Sequence, residues 1–102
     1  MESVFEIIAE PNRRAILSML ATSQRSVGEI ERHLRLPQPA VSKHLGVLKE
    51  AGLVRDRPEG RQTHYSAQLS ALAPLIDWTK QLTGFWQNRF DRLEDLLKRM
   101  DQ

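Results

Sequence analysis

The stretch LPQPAVSKHLGVLKEAGLV at residues 36–54 constrains the chain more than any other. Two prolines stand at its head, and a helix accepts proline only at its cap and first turn, where backbone N–H groups have no intrahelical acceptor. Gly52 is a natural stop at the far end. Between them a wheel at about 100° per residue gathers Val41, Leu45 and Leu48 on one side, flanked by His44 and Ala51. Ser42, Lys43, Gly46, Lys49 and Glu50 fall on the other. The spacing predicts a helix over residues 38–51, buried along one rail, with a polar face left over. Pro39 disfavours helical geometry at Gln38, so the start is set only to within a residue or two.

The neighbouring segments give this helix a setting. Ser26-Val27-Gly28-Glu29 reads as a capping box, opening a short helix that runs to about Leu34 with Val27, Ile30 and Leu34 on one side. The RLP that follows has room only for a tight turn, so the two helices form a helix-turn-helix. Upstream, SVFEIIAE predicts a short helix, and Pro11 opens another over residues 11–21, where Ile16, Leu17 and Leu20 are the apolar face. Downstream, LVRDR-PEGR-QTHYSA predicts two strands around a Pro58-Glu59-Gly60 turn. From Leu69 the pattern is helical to the end, with Pro74 either dividing off a short turn or sitting in the first turn of the long helix. The order α-α-α-α-β-β-α is mainly α with a β-hairpin wing, a winged helix-turn-helix.

Composition narrows the function. A chain of 102 residues makes one small domain with little surplus stability, so association with a second copy is expected. There is no cysteine, which removes disulfide and thiolate chemistry. No stretch approaches the roughly 20 apolar residues of a membrane span, and MESVFEIIAE lacks the basic start of a signal peptide. A soluble, cytoplasmic protein is expected, with no membrane partner. The net charge is only +2, but residues 11–64 hold ten basic and five acidic side chains, whereas residues 1–10 hold three acidic and no basic ones. The basic excess therefore lies on the helix-turn-helix and wing, where a polyanion would bind.

Recognition chemistry is concentrated on the exposed face of the second helix of the motif, which in such folds enters the DNA major groove. Gln38 suits adenine, Ser42 a base or phosphate, and Lys43 guanine or phosphate. Ala40, Lys49 and, on the wing, Arg57, Arg61 and Gln62 complete the expected contact set. His44 stands at the edge of the buried rail and has two readings, packing with a local hydrogen bond or DNA contact. Arg13 and Arg14 have two as well, bracing the fold against a carboxylate or touching DNA. Arg57 and Arg61 have carboxylate neighbours, Asp56 and Glu59, that compete with phosphate for them.

These residues resemble the ArsR/SmtB family of bacterial transcriptional regulators. PQPAVSKHLGVLKEAGLV, preceded by EPNRRAILSML and followed by RPEGRQTHYS, carries the resemblance over about residues 4–66, and the last helix is similar more loosely. The resemblance implies a homodimeric repressor of double-stranded DNA, often controlling its own operon, with the fourth helix as reader and the hairpin as wing. It also implies that the terminal helices form the dimer interface, here Val4, Phe5, Ile8, Ile76, Trp86, Phe90, Leu93 and Leu97. On this basis residues 11–66 are the DNA-binding core of one domain spanning 1–102, and 1–10 with 69–102 are dimerisation helices.

The chain departs from the family in two ways. Pro37 stands where members commonly cap the reading helix with Ser or Thr. Metal-sensing members place paired cysteines on the helix that is SVGEIERHL here, and a second family site uses Asp and His on the last helix, yet no histidine follows His64. His33, His44 and His64 lie on three different elements, so no metal and no cofactor is expected. The small-molecule effector is left unspecified.

The last helix carries two apolar stripes, Ile76-Trp86-Phe90-Leu93-Leu97-Met100 and Leu75-Trp78-Leu82-Phe85. One small domain does not easily cover both, which predicts packing between its own domain and a partner. Trp78 and Trp86 belong to these stripes and read as core or interface in preference to a ligand pocket. No phosphate-cradling loop or triad spacing suggests an enzyme, and the consecutive Ser42-Lys43-His44 side chains diverge around the helix. The alternative is a winged-helix module that binds protein or RNA without operator specificity.

Overall fold

A computed structural model describes residues 3–100. In chain order it has α1 (Val4–Ala9), α2 (Pro11–Thr22), β1 (Arg25–Ser26), α3 (Val27–Leu34), α4 (Gln38–Glu50), β2 (Val54–Glu59), β3 (Gln62–Ala67), a 3-10 turn (Leu69–Leu72) and α5 (Ala73–Met100). The three strands form an antiparallel sheet in the order β1-β3-β2. This is the expected winged helix-turn-helix, with one strand more than expected.

The core gathers where α2, α3, α4 and the base of the wing meet. Ile16, Ile30, Val41, Leu48 and Leu53 are wholly buried, and Ile7, Leu17, Leu20, Leu45 and Val54 nearly so. Each helix contributes the stripe its spacing marked out, while Val27 and Leu34 pack half-buried against the cluster. Hydrophobic transfer, worth about 1.5–3 kcal/mol for each fully buried large aliphatic side chain, therefore acts on the reading helix through Val41, Leu45 and Leu48.

Polar contacts fix the joints. The Glu10 carboxylate accepts from the Arg13 backbone N–H at 2.8 Å and caps α2. Arg13 Nε donates to the Ile7 carbonyl at 2.7 Å, and Arg14 Nη1 donates to Ile8 and Ala9 at 2.9 and 3.1 Å. Both arginines thus brace the fold by filling carbonyls at the end of α1 that its own turns leave unpaired. The capping box is present as read: the Glu29 N–H donates to Ser26 Oγ at 3.3 Å, and the Ser26 N–H donates to the Glu29 carboxylate at 3.2 Å.

Two expectations are corrected. The hairpin does not turn at Pro58-Glu59-Gly60: the strand continues through Pro58, which pairs with Thr63, and Glu59 pairs with Gln62. Only Gly60 and Arg61 make the loop, with Gly60 at φ +64° as a glycine-first two-residue turn requires. Proline is accepted inside β2 because that strand is the sheet edge, where a missing N–H costs no ladder bond. The second correction is β1, expected as loop: Arg25 and Ser26 pair with Tyr65 and His64, tying the start of α3 to the wing.

α5 packs less than its stripes suggest. The 3-10 turn precedes it and Pro74 sits in its first turn, so both expectations for that proline hold together. None of its 28 residues is buried within the chain. Phe5 and Trp78 meet edge to face at 5.9 Å, but Trp86, Phe90, Leu93 and Leu97 are each 51–60% exposed. The helix projects from the body, stretching the molecule to 71 Å along its long axis against 27 and 21 Å across. The chain's own domain covers little more than the beginning of the Leu75-Trp78-Leu82-Phe85 stripe.

Candidate nucleic-acid interface

The turn between α3 and α4 sets where the reading helix points. Arg35 adopts the left-handed conformation at φ 55°, and the following Leu36 N–H donates back to the Glu31 carbonyl at 3.3 Å. Pro37 is the N-cap of α4 and gives it no side-chain hydrogen bond. Its carbonyl instead receives the N–H groups of Ala40 and Val41 at 3.0 and 3.2 Å. The fixed φ of Pro37, −67°, joins an extended approach to the helix start without a capping hydroxyl.

The far end of α4 is closed with equal definition. Gly52 at φ +78° donates its N–H to Lys49, and Leu53 donates to Leu48 at 2.9 Å, the paired bonds of a Schellman motif. Leu48 and Leu53 are both wholly buried beneath it. This closure launches β2 and so aims the wing relative to the reading helix.

On α4 the polar face is displayed as the wheel placed it. Gln38, Ser42, Lys43, Gly46 and Lys49 are exposed, and Ala40 is half-buried beside them. Gln38 Nε2 donates to Ser42 Oγ at 2.8 Å, so the two side chains expected to read bases are linked one helical turn apart. His44 stands apart from them. Its side chain is only 15% exposed and its Nδ1 lies 3.8 Å from the Glu10 carboxylate, which places it against the start of α2.

A concave surface of about 430 Å³ joins the reading helix to the wing. Gln38 and Ser42 of α4, Arg61, Gln62, Thr63 and Tyr65 of the wing, and Arg32 of α3 are among the residues that line it. Arg32, Thr63 and Tyr65 are additions to the expected set. Thr63 and Tyr65 are two apart on β3 and so share a face, a parity readable once the loop is known to be Gly60-Arg61. Arg32 was marked by nothing except its position one turn beyond Gly28 on α3. No carboxylate among the described residues pairs with Arg32, Lys43 or Arg61, which leaves three cations for a polyanion.

Other basic residues of the expected set are engaged within the chain. Lys49 Nζ donates to Asp56 Oδ2 at 2.9 Å, reaching from α4 to the base of the wing. That hydrogen bond and the charge behind it hold the ammonium above its usual range and the Asp56 carboxyl below its own, the latter against an opposing effect of burial. Arg57 pairs with Glu59 at 3.3 Å on an exposed edge, and His64 Nε2 lies 3.6 Å from the same carboxylate. Burial pushes the Glu10 carboxyl up, yet backbone N–H groups of Arg13 and Asn12 and the charges of His44 and Arg13 bring it below its usual range. The Ser26 N–H, followed by the Arg25 guanidinium, likewise lowers Glu29.

Among the described residues no group of three or more His, Asp or Glu side chains is placed to hold a metal ion. No helix among them is long and apolar enough to cross a membrane.

Residues 10–56 match the family described as bacterial regulatory protein, arsR family. The chain is 43% identical over 91 residues to the HTH-type transcriptional regulator Rv2034 of Mycobacterium tuberculosis, covering 84% of this chain and 85% of that one. It is 35% identical over 78 residues to the transcriptional repressor SdpR of Bacillus subtilis, covering 76% and 87%. Among solved structures, a possible transcriptional regulator for arsenical resistance superposes with a TM-score of 0.70 at 34% identity, over 91% of this chain and 94% of that one. Reduced HlyU of Vibrio cholerae gives 0.64 at 34% identity over 78% and 83%. The helix-turn-helix, its wing and these likenesses lead to one conclusion: the chain belongs to the arsR family of bacterial regulatory proteins, and is a DNA-binding transcriptional regulator and not an enzyme.

Proposed function

We propose that the chain is a cytoplasmic, autoregulating repressor that binds a palindromic operator as a homodimer. The observation that carries this reading is the shared concave surface, on which the hydrogen-bonded Gln38–Ser42 pair faces the Arg61–Gln62 tip of the wing. α4 enters the major groove; Gln38, Ser42 and Lys43 reach base edges or nearby phosphates, and Ala40 offers a methyl beside them. Arg61 and Gln62, with Arg57 on the same hairpin, follow the backbone or the adjacent minor groove. Lys49 adds a phosphate contact when it exchanges Asp56 for DNA. His44 is the weakest member of the set, because it packs beside Glu10.

Residues 11–66 form the DNA-binding core, and the terminal helices join two copies through Val4, Phe5, Ile8, Ile76, Trp86, Phe90, Leu93 and Leu97. Support for this comes from the exposed stripe of α5, where Trp86, Phe90, Leu93 and Leu97 are each more than half exposed, contiguous apolar surface of the kind that marks an interaction site. A two-fold dimer presents two reading helices to half-sites about one helical turn apart, roughly 34–36 Å. The name of the SdpR relative, a repressor, supports the sign of the effect.

The test is footprinting of bound genomic DNA with the native chain and with the Gln38→Ala/Ser42→Ala double variant. The native protein is expected to protect inverted repeats, one of them ahead of its own coding sequence, and the variant to lose sequence preference, each good base contact being worth about 1–3 kcal/mol. Equal protection of the same sites by both proteins would move the reading face elsewhere.

A further inference from the structure

Between α2 and the point where α5 leaves the body lies a groove of about 240 Å³, lined by no residue of the reading helix or the wing. α2 builds one side at helical spacing, with Leu17 and Ala21 one turn apart and Arg14 and Ser18 one turn apart beside them. Ile8 of α1, Leu69 and Leu72 of the 3-10 turn and Leu75 of α5 make the rest. The lining is apolar except for Arg14 and Ser18, so its polarity is confined to one flank.

Arg14 has capacity to spare. Its Nη1 serves the Ile8 and Ala9 carbonyls, and among the described residues no carboxylate pairs with it. A guanidinium carries five N–H donors in a planar fork that matches a carboxylate, and the Nη2 side of this one is uncommitted. Ser18 adds a hydroxyl donor on the same flank. At roughly 30 Å³ for each heavy atom, the share of a liquid water, the groove holds about eight such atoms.

We propose that this groove binds an amphipathic monocarboxylate whose apolar body has about seven or eight carbons, the body lying among the leucines and the carboxylate on Arg14 and Ser18. Charge complementarity selects the anion: a cationic head of the same length meets Arg14 with like charge, and a neutral one leaves its fork unused. The occupant touches α1, α2 and α5 together and so bridges the body to the projecting helix. The inference does not rest on the reading face, since none of these residues lies on α4 or the wing, although Ile8 belongs also to the proposed dimer contacts.

The experiment is calorimetric titration of the full chain with octanoate, accompanied by backbone amide chemical shifts. Saturable binding of one octanoate for each chain is expected, with the largest shifts at Ala21, Leu72 and Leu75 and at least tenfold weaker binding of octylammonium. Ala21 is exposed, so Ala21→Trp is expected to keep the fold, checked by circular dichroism, while filling the groove and abolishing the heat. Arg14→Gln, which keeps N–H donors for the α1 carbonyls, is expected to weaken octanoate at least tenfold and leave 1-octanol unchanged. No saturation up to about 10 mM, equal affinity for octylammonium, retained binding in Ala21→Trp, or shifts centred on Trp86 and Leu93 would each overturn the proposal. A second copy filling the groove in the dimer would appear as the first of these results.

Discussion

Lys49 on the reading helix and Asp56 on the first strand of the wing meet at 2.9 Å, so the two elements proposed to face DNA are joined by an ion pair. On the proposed arrangement, phosphate competes with Asp56 for the Lys49 ammonium. Asp56→Asn removes the charge that retains Lys49 and is expected to raise DNA affinity several-fold and to steepen the dependence of log affinity on log salt by about one unit. Lys49→Ala is expected to weaken binding across sequences and flatten the slope by a similar amount. Anisotropy titrations over a salt series measure both, and an unchanged slope in the two variants would mean that Lys49 never leaves Asp56.

The Ser26–Glu29 capping box has a signature in acid. Glu29 is held below the ordinary carboxyl value of 4.5, first by the Ser26 N–H and then by Arg25. A carboxyl depressed in the folded state contributes stability that is present above its unfolded pKa and is lost as pH falls through its folded one. Ser26→Ala is expected to cost about 1 kcal/mol near neutrality by removing the cap acceptor. It is also expected to flatten the decline of stability below pH 4.5, because a partner of the Glu29 carboxylate goes with it. Urea unfolding at neutral and acid pH checks this; an equally steep acid decline in the variant would contradict it.

How far the sequence reached depended on the kind of signal. Val41, Leu45 and Leu48 were legible because burial on a helix leaves a repeat of three and four, and Ser26 and Glu29 because a capping box has a fixed spacing. β1 was not legible: two residues cannot display an alternation, and Arg25 and Ser26 become strand only because β3 passes beside them. Pro58 misled for a related reason, since its tolerance depends on β2 being the sheet edge, which topology decides. At the interface, Gln38 and Ser42 followed from the wheel, but the engagement of Lys49 by Asp56 and the arrival of Arg32 beside the wing depend on tertiary placement. From the sequence Arg14 reads as a brace against a carboxylate or a DNA contact; its acceptors are carbonyls of α1, which no residue pattern announces.

The two left-handed positions that flank the reading helix, Arg35 before it and Gly52 after it, respond oppositely to exchange between glycine and an L residue. Arg35 holds a left-handed φ of 55° without being glycine, a conformation that costs an L residue about 1–2 kcal/mol. Arg35→Gly relieves that cost, less about 0.5–1 kcal/mol for the looser unfolded chain, so a net gain of up to about 1.5 kcal/mol is expected. Gly52 sits at φ +78° with open space where a Cβ would go, so Gly52→Ala is expected to lose about 1–2 kcal/mol from backbone strain alone. Denaturant midpoints measure both changes. A loss on Arg35→Gly would show that the arginine side chain contributes more than its backbone costs.

The exposed stripe of α5 tests the dimer directly. The Trp86 and Phe90 rings lie 6.2 Å apart, tilted by 33°, with the Arg89 guanidinium 5.9 Å over Trp86, and Leu93 and Leu97 continue the stripe one and two turns on, each more than half exposed. Because none of these residues is buried within its own chain, a polar replacement removes little intrachain packing and acts mainly on association. Trp86→Gln with Leu93→Gln is therefore expected to convert a sedimenting dimer to monomer while the helix-turn-helix stays folded. Operator affinity is expected to fall much further than binding to a single half-site, because one reading helix then binds without its two-fold mate. A variant that sediments as the native dimer would place the interface on another face, and a monomer with undiminished operator affinity would remove the two-fold arrangement from the mechanism.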